Sequence, residues 1–207
     1  MMIDKQAFHT RIIQRTCYVF LTVFLSTILS ASSTAEQQKA TFAGGCFWCS
    51  ESDFEKLEGV LSVTSGYTGG ELENPSYKQV SSGNTGHTEG IEIVFDSREV
   101  SYAELLEYFW TTIDPTDGGG QFCDRGQQYR SEIFYHSQAQ REAAEESLKA
   151  LEESAILAAP VATKITAAST FYPAEDYHQD YYLKNPVRYK YYRWGCGRDK
   201  RLKELWK

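Results

Sequence analysis

The sequence is short of positive charge: 21 lysines and arginines stand against 28 acids, a formal net charge of -7 over 207 residues. It therefore has no overall basic field to hold nucleic acid. It also has no internal repeat and no low-complexity segment, which excludes a solenoid or a disordered tail as the organising principle. No apolar run reaches the roughly 20 residues needed to span a bilayer as a helix. The nearest approach runs from Cys17 to Ala31, 15 residues with a few Ser and Thr, preceded by Lys5, Arg11 and Arg15 against the single acid Asp4. Ser33, Thr34 and Ala35 then supply small residues, so residues 1–35 read as a signal peptide cleaved after Ala35, with an uncleaved signal anchor as the alternative reading. No cysteine follows the apolar run closely, so a lipid-modified N-terminus is not expected. The expectation is an exported domain, periplasmic or secreted, made of residues 36–207. That domain carries 18 basic and 27 acidic residues. The chain is 42% hydrophobic and 14% aromatic, enough to bury the core of a single globular domain.

Metal-ligand spacing is missing too. Cys46 and Cys49 form a CxxC, but zinc needs a second ligand pair, and Cys123, Cys196 and the histidines show no such spacing. Histidines number only four. His9 lies in the leader, His136 ends a strand, and His87 and His178 read as hydrogen-bonded structural residues.

What is present centres on GGCFWC at 44 to 49. A short strand over 40 to 43, a two-glycine turn and a helix from about Phe47 to Glu58 place Cys46 at a helix N-terminus. Unpaired N–H groups and the helix dipole there lower a thiol pKa toward neutrality and favour the nucleophilic thiolate. Phe47 and Trp48 are adjacent and available as walls of an apolar pocket. A thioredoxin-type CxxC is the competing reading, although Gly59 ends the helix early for that fold. Two structural disulfides in a secreted binding domain are another.

Alternation at Leu61, Val63, Ser65 and Tyr67 predicts a strand. The polar stretch 71 to 88 reads as a loop long enough to serve a site, with Tyr77 inside it and Glu89 at its end. Ile91, Ile93 and Phe95 form a strand that puts Glu89 on their buried face, where a carboxyl becomes a general acid if its pKa rises. Ser101 with Glu104, and Ser137 with Gln140, are capping-box starts of two helices reaching about Thr112 and Glu153. Between them lies the glycine-rich loop 116 to 130, holding Cys123, Asp124 and Tyr129, and a strand at Ile133 and Tyr135. A further strand at 161 to 165 precedes an aromatic, basic C-terminal arm expected to be irregular. The order of elements predicts an α+β fold with a mostly antiparallel sheet and packed helices.

With these residues located, the chain resembles the A-type peptide methionine sulfoxide reductases over about residues 38–207. The likeness rests on GGCFWC, SGYTGG at 65 to 70, NPSY at 74 to 77, GHTE at 86 to 89, FCDRGQQYRS at 122 to 131 and AEDYHQDYY at 174 to 182, in that order. It implies a two-layer α+β domain that reduces the S epimer of methionine sulfoxide, free or in proteins, with no metal or organic cofactor and with a thioredoxin-like electron donor. A monomer acting on oxidised exported proteins is expected. Position by position, Cys46 matches the nucleophile, Glu89 the acid, Tyr77 and Tyr129 the hydroxyls on the sulfoxide oxygen, Asp124 the acidic residue beside them, and Phe47 and Trp48 the walls around the substrate methyl group. Resolving cysteines in the family usually lie in the C-terminal arm, which points to Cys196 between Gly195 and Gly197. Cys49, where many relatives have glycine, is the rival, and Cys123 and an external thiol are the remaining alternatives.

Overall fold

The computed structural model describes residues 36–207. The expected signal peptide lies outside the described residues. Three strands make the centre of a six-stranded sheet: β1 (Gln37–Gly44), β2 (Val60–Thr68) and β3 (Thr88–Asp96). β3 pairs antiparallel with both neighbours, Phe42 opposite Ile91 on one side and Tyr67 opposite Glu89 on the other. Alternation sends Ile91, Ile93 and Phe95 to full burial, and Glu89 follows them inward.

α1 (Phe47–Phe54) follows β1 directly and is shorter than the sequence predicts, its last turn closing on Glu55. After β2 comes a five-residue helix, α2 (Tyr77–Ser81), inside the stretch expected to be all loop. α3 (Tyr102–Thr111) starts with the predicted capping box: Glu104 N–H donates to Ser101 Oγ at 3.2 Å, and Ser101 N–H donates to Glu104 Oε2 at 2.7 Å. A small hairpin, β4 (Gly120–Gln121) with β5 (Asp124–Arg125), and a single 3₁₀ turn over Gln127–Tyr129 shape the glycine-rich loop.

β6 (Ser131–Tyr135) then joins β1 antiparallel. α4 (Gln138–Glu153) crosses over so that β7 (Lys164–Ala167) runs parallel to β6. β8 (Tyr172–Pro173) closes the far edge against β2, giving the order β7-β6-β1-β3-β2-β8. With one parallel pairing among antiparallel ones, the domain is the expected α+β fold. Phe42 of β1 sits at the heart of the core, its ring 4.8 Å from Phe109 of α3 and 5.6 Å from Phe54 of α1.

The C-terminal arm is helical rather than irregular. α5 (Tyr181–Lys184), α6 (Pro186–Gly195) and α7 (Arg198–Leu205) occupy it, with Pro186 at the first turn of α6, where its missing N–H costs nothing. The arm is fastened by Arg198, a fully buried guanidinium that donates to Gly44 O at 3.1 Å and to Thr112 O at 2.7 Å. Arg193 adds an ion pair to Asp53 of α1 at 2.7 Å. The sequence reads as a packed arm with solvated Lys and Arg, yet Arg193 and Arg198 reach inward to a buried carboxylate and to backbone carbonyls.

Candidate active site

Gly45 makes the turn between β1 and α1 at φ +82°, and a Cβ there would lie 2.6 Å from Gln121 Cβ, so only glycine fits. The next residue, Cys46, takes the N-cap position of α1 with φ -56° and ψ 119°. Its side chain is 7% exposed and faces a cavity of about 60 Å³ lined by Cys46, Phe47, Trp48, Tyr77, Glu89, Asp124, Tyr129 and Tyr192. All seven residues singled out in the sequence for the chemistry and the pocket walls are thus together, although they come from five stretches of chain.

Glu89 is 2% exposed, and its Oε2 accepts the Phe47 backbone N–H at 3.1 Å. Burial pushes its carboxyl up to about 8, the Phe47 amide opposing this and the negative charge of Asp124 adding to it. Glu89 therefore holds its proton at neutral pH. Tyr77 is held up to about 12 by burial and by Glu89, and Tyr129 is raised by the same two causes, so both phenols stay donors. Asp124 is raised by burial while a hydrogen bond from Tyr192 works against this.

The Cys46 thiol does not show the lowered pKa expected of a helix N-terminus. Burial raises it first, followed by the neighbouring Cys49 and the charges of Glu89 and Asp124. At neutral pH the sulfur is a neutral thiol, because desolvation and the neighbouring Cys49, Glu89 and Asp124 outweigh the dipole of an eight-residue helix. Cys49, one turn on and buried, is lowered by its hydrogen bond with Cys46, against burial and with help from Arg198 and Arg193.

The walls are set by residues from the arm. Trp48 stacks on Tyr181 at 3.6 Å and 4°, and its indole Nε1 donates to His178 Nδ1 at 3.0 Å. That bond fixes the acceptor nitrogen of a neutral imidazole, and burial lowers His178 further. The His178 ring packs 4.9 Å from Phe47 and 4.5 Å from Tyr77. Glu175 accepts from Tyr67 Oη at 2.8 Å and from the Tyr77 amide at 2.9 Å, which ties α2 to the sheet. Sequence reading missed Tyr192, Tyr181 and His178 as site components. Tyr192 gave no signal beyond an aromatic tail, whereas the AEDYHQDYY string already marked the segment of the other two.

Cys123 and Cys196 are joined in a disulfide, and among the described residues Cys46 and Cys49 are the free cysteines. Cys196 is thus bonded to Cys123 and not to Cys46, and two structural bridges do not form. The pair leaves no thiolates for a metal at Cys123, Asp124 and Cys196. Among the described residues a second close group of potential ligands is Glu51, Glu55 and Asp180, whose oxygens lie within 4.8 Å of one another.

Comparison with known proteins agrees with this geometry. The family model described as peptide methionine sulfoxide reductase matches residues 38–207. The chain is similar to the peptide methionine sulfoxide reductase MsrA of Bacillus licheniformis, 54% identical over 171 residues, which are 83% of this chain and 94% of that protein. It is also 53% identical over 174 residues to MsrA/MsrB of Vibrio cholerae, covering 84% of this chain but only 46% of that longer protein. Among solved structures, methionine sulfoxide reductase A of Corynebacterium diphtheriae superposes with a TM-score of 0.66 at 32% identity, covering 75% of this chain and 78% of that one. The chain belongs to the peptide methionine sulfoxide reductase family.

Proposed function

We propose that Cys46 is the nucleophile and Glu89 the general acid in a thiol-dependent reduction of the S epimer of methionine sulfoxide to methionine. The reaction itself is that of the family, and each sulfoxide epimer has its own reductase. The residue roles rest on one observation: a buried carboxyl that keeps its proton at neutral pH lies against the turn carrying a buried thiol, inside an aromatic cavity.

A sulfoxide sulfur is a poor electrophile until its oxygen is protonated or strongly hydrogen-bonded. Glu89 gives its proton to that oxygen while Tyr77 and Tyr129 donate to it, and Cys46 Sγ attacks the sulfur. The thiol proton returns to Glu89. In sum, one oxygen moves from the substrate sulfur to Cys46, leaving methionine and a sulfenic acid. Phe47 and Trp48 enclose the substrate methyl group, and Asp124, held by Tyr192, orients the hydroxyls. Cys196 then condenses with the sulfenic acid to a disulfide and water, and a thioredoxin-like dithiol recycles the enzyme. One chain supplies every wall of the cavity, consistent with a monomer.

Residues 1–35 direct the domain to the periplasm or the medium, where it repairs oxidised exported proteins; the support is the basic start, the apolar run and the small residues before Glu36. Two measurements test these assignments. Cys46→Ser abolishes methionine formation from the S epimer, and wild-type turnover by that variant would sink the mechanism. N-terminal sequencing of the protein from fractionated cells gives Glu36 in the exported fraction; a full-length cytoplasmic chain would overturn the localisation.

A further inference from the structure

The outer face of α6 reverses the order of an ordinary surface helix, which turns its apolar stripe inward and its charges out. Val187, Tyr191 and Trp194 follow one another at helical spacing on one side of α6, and they are 82%, 73% and 76% exposed. The rings of Tyr191 and Trp194 lie 6.2 Å apart. The inward side instead carries Tyr189, Tyr192 and Arg193. Tyr189 is buried, Tyr192 donates to Asp124 of the cavity, and Arg193 pairs with Asp53.

Basic side chains border the exposed stripe. At 100° per residue Arg188 and Lys190 fall to either side of it, and both are exposed. Lys200 of α7, also exposed, shares with Trp194 a cavity of about 250 Å³. Among the described residues none of these three cations is in an ion pair. The two acids of the arm are taken up elsewhere, Asp199 by Arg193 at 2.8 Å and Glu204 by Arg201 at 4.0 Å. Residues 184–207 hold 9 basic and 2 acidic residues, whereas residues 36–183 hold 9 and 25. The positive charge that the chain lacks overall is therefore concentrated in the segment that bears the stripe.

This combination fits the interface of an anionic lipid bilayer. Trp and Tyr rings settle at headgroup level, where the ring body meets acyl chain and the polar edge stays wet. Flanking Lys and Arg lay their stems along the apolar boundary and reach lipid phosphates with their heads. A protein partner would need fixed counter-charges opposite three cations on flexible stems; a fluid lipid surface supplies them wherever they land. The ten residues of α6 make a helix about 15 Å long, which can lie in the interface but not cross it. No described helix is long and apolar enough to cross a membrane. The acidic remainder of the domain does not cancel the attraction at contact, since physiological salt screens it beyond about 8 Å.

We propose that the outer face of α6 docks the protein on anionic bilayers, with Val187, Tyr191 and Trp194 in the headgroup layer and Arg188, Lys190 and Lys200 on the lipid phosphates. Tyr192, on the opposite side of the same helix, lines the cavity, so docking holds the site within about one helix diameter, 10–12 Å, of the lipid. The exported domain then works at the membrane surface rather than throughout its compartment.

The test is co-sedimentation of the protein, as the exporting cell processes it, with phosphatidylglycerol-containing vesicles and with vesicles of phosphatidylcholine alone. Wild type binds the anionic vesicles at least about 10-fold more tightly than the neutral ones and comes off in high salt. Tyr191→Ser/Trp194→Ser weakens anionic binding by about 10-fold or more. Arg188→Ser/Lys190→Ser weakens it by about 25-fold, from about 5-fold per charge. All variants carry the same N-terminus as wild type, so a retained leader cannot supply the difference. Because the four side chains are exposed, both variants keep the wild-type rate on free methionine sulfoxide in solution. The vesicle-induced blue shift of tryptophan emission is lost in Trp194→Phe. Absence of wild-type binding to anionic vesicles, equal binding to neutral ones, or variants that bind as wild type does would overturn the proposal. Two further results would give the stripe to a protein instead: a dimer in sedimentation velocity that Tyr191→Ser/Trp194→Ser dissolves, or a raised KM for the dithiol donor in that variant with vesicle binding unchanged.

Discussion

The backbone N–H of Phe47 donates to Oε2 of Glu89 at 3.1 Å, fastening the first residue of α1 to the start of β3. One carboxyl oxygen is thereby fixed by the turn that presents Cys46, which leaves the other to carry the proton toward the cavity. With its pKa at about 8, Glu89 is in the acid form through neutral pH and loses that proton in mildly alkaline solution. The rate of the chemical step therefore falls as pH rises through about 8. Glu89→Gln keeps the amide acceptor but cannot give up a proton to the substrate, and it slows single-turnover methionine formation by roughly 10²–10⁴-fold with the alkaline fall abolished. A wild-type profile rising steadily past pH 9 would remove Glu89 from the acid role.

Glu51 offers a second pH dependence, this one in stability. It is buried in α1 with neither oxygen in a hydrogen bond, beside Glu55 and Asp180. Burial raises it to about 7, the nearby amides of Asp180 and Tyr181 offsetting only part of the effect. The folded chain thus holds this proton more tightly than the unfolded chain, whose value is near 4.5. The corresponding stability is fully present below about 4.5 and is lost as pH rises through about 7. Glu51→Gln imitates the neutral form, so it raises the Tm at pH 8.5 by on the order of 5 °C and leaves it unchanged at pH 4. Equal shifts at both pH values in thermal unfolding would contradict the assignment.

Arg198 is the clamp that holds the arm over the site. Its guanidinium satisfies two buried carbonyls, Gly44 O and Thr112 O, and lies 4.7 Å from the centre of the Phe122 ring. Arg198→Ala strands both oxygens and costs about 3 kcal/mol, which lowers the Tm by roughly 6–12 °C. Arg198→Lys recovers less than half of the loss, because an ammonium lacks the planar fork that serves two acceptors at once. Denaturation of the three proteins side by side measures both effects, and a lysine variant as stable as wild type would show that charge alone secures the arm.

The strands β1, β2, β3 and β6 and the helices α3 and α4 were legible because their signals are local, whereas the two-residue strands β4, β5 and β8 carry no such signal and β7 lies at Lys164–Ala167 rather than at 161 to 165. Alternation at Ile91, Ile93 and Phe95 and the caps at Ser101 and Ser137 each specify an element without help from the rest of the chain. The inward direction of Glu89 followed from the same alternation. The arm was not legible, since Arg193 and Arg198 read as solvated charges until Asp53 and the carbonyls of Gly44 and Thr112, distant in sequence, are brought to them. Tyr192 was hidden for the same reason. The ionisation of Cys46 depended on a sum that no motif displays: the helix start was visible, but the burial and the acids that override it come from β3 and the glycine-rich loop.

Tyr77 and Tyr129 share one task, and that shapes how their variants combine. Both hydroxyls line the cavity with Cys46 and Glu89, and burial together with the charge of Glu89 keeps both protonated far above neutral pH. Each is a hydrogen-bond donor to the oxygen that gains negative character as the S–O bond weakens. Removing one leaves the other, along with the Glu89 proton, aimed at that oxygen, so Tyr77→Phe or Tyr129→Phe alone lowers kcat by about 10-fold. Removing both costs more than the product of the two, about 10³-fold, since Glu89 is then the sole donor. Substrate affinity changes little because the methyl group still lies against Phe47 and Trp48. Steady-state kinetics of the two single variants and the double variant measure the coupling, and a double variant no slower than the slower single one would show that only one of the two phenols contacts the oxygen.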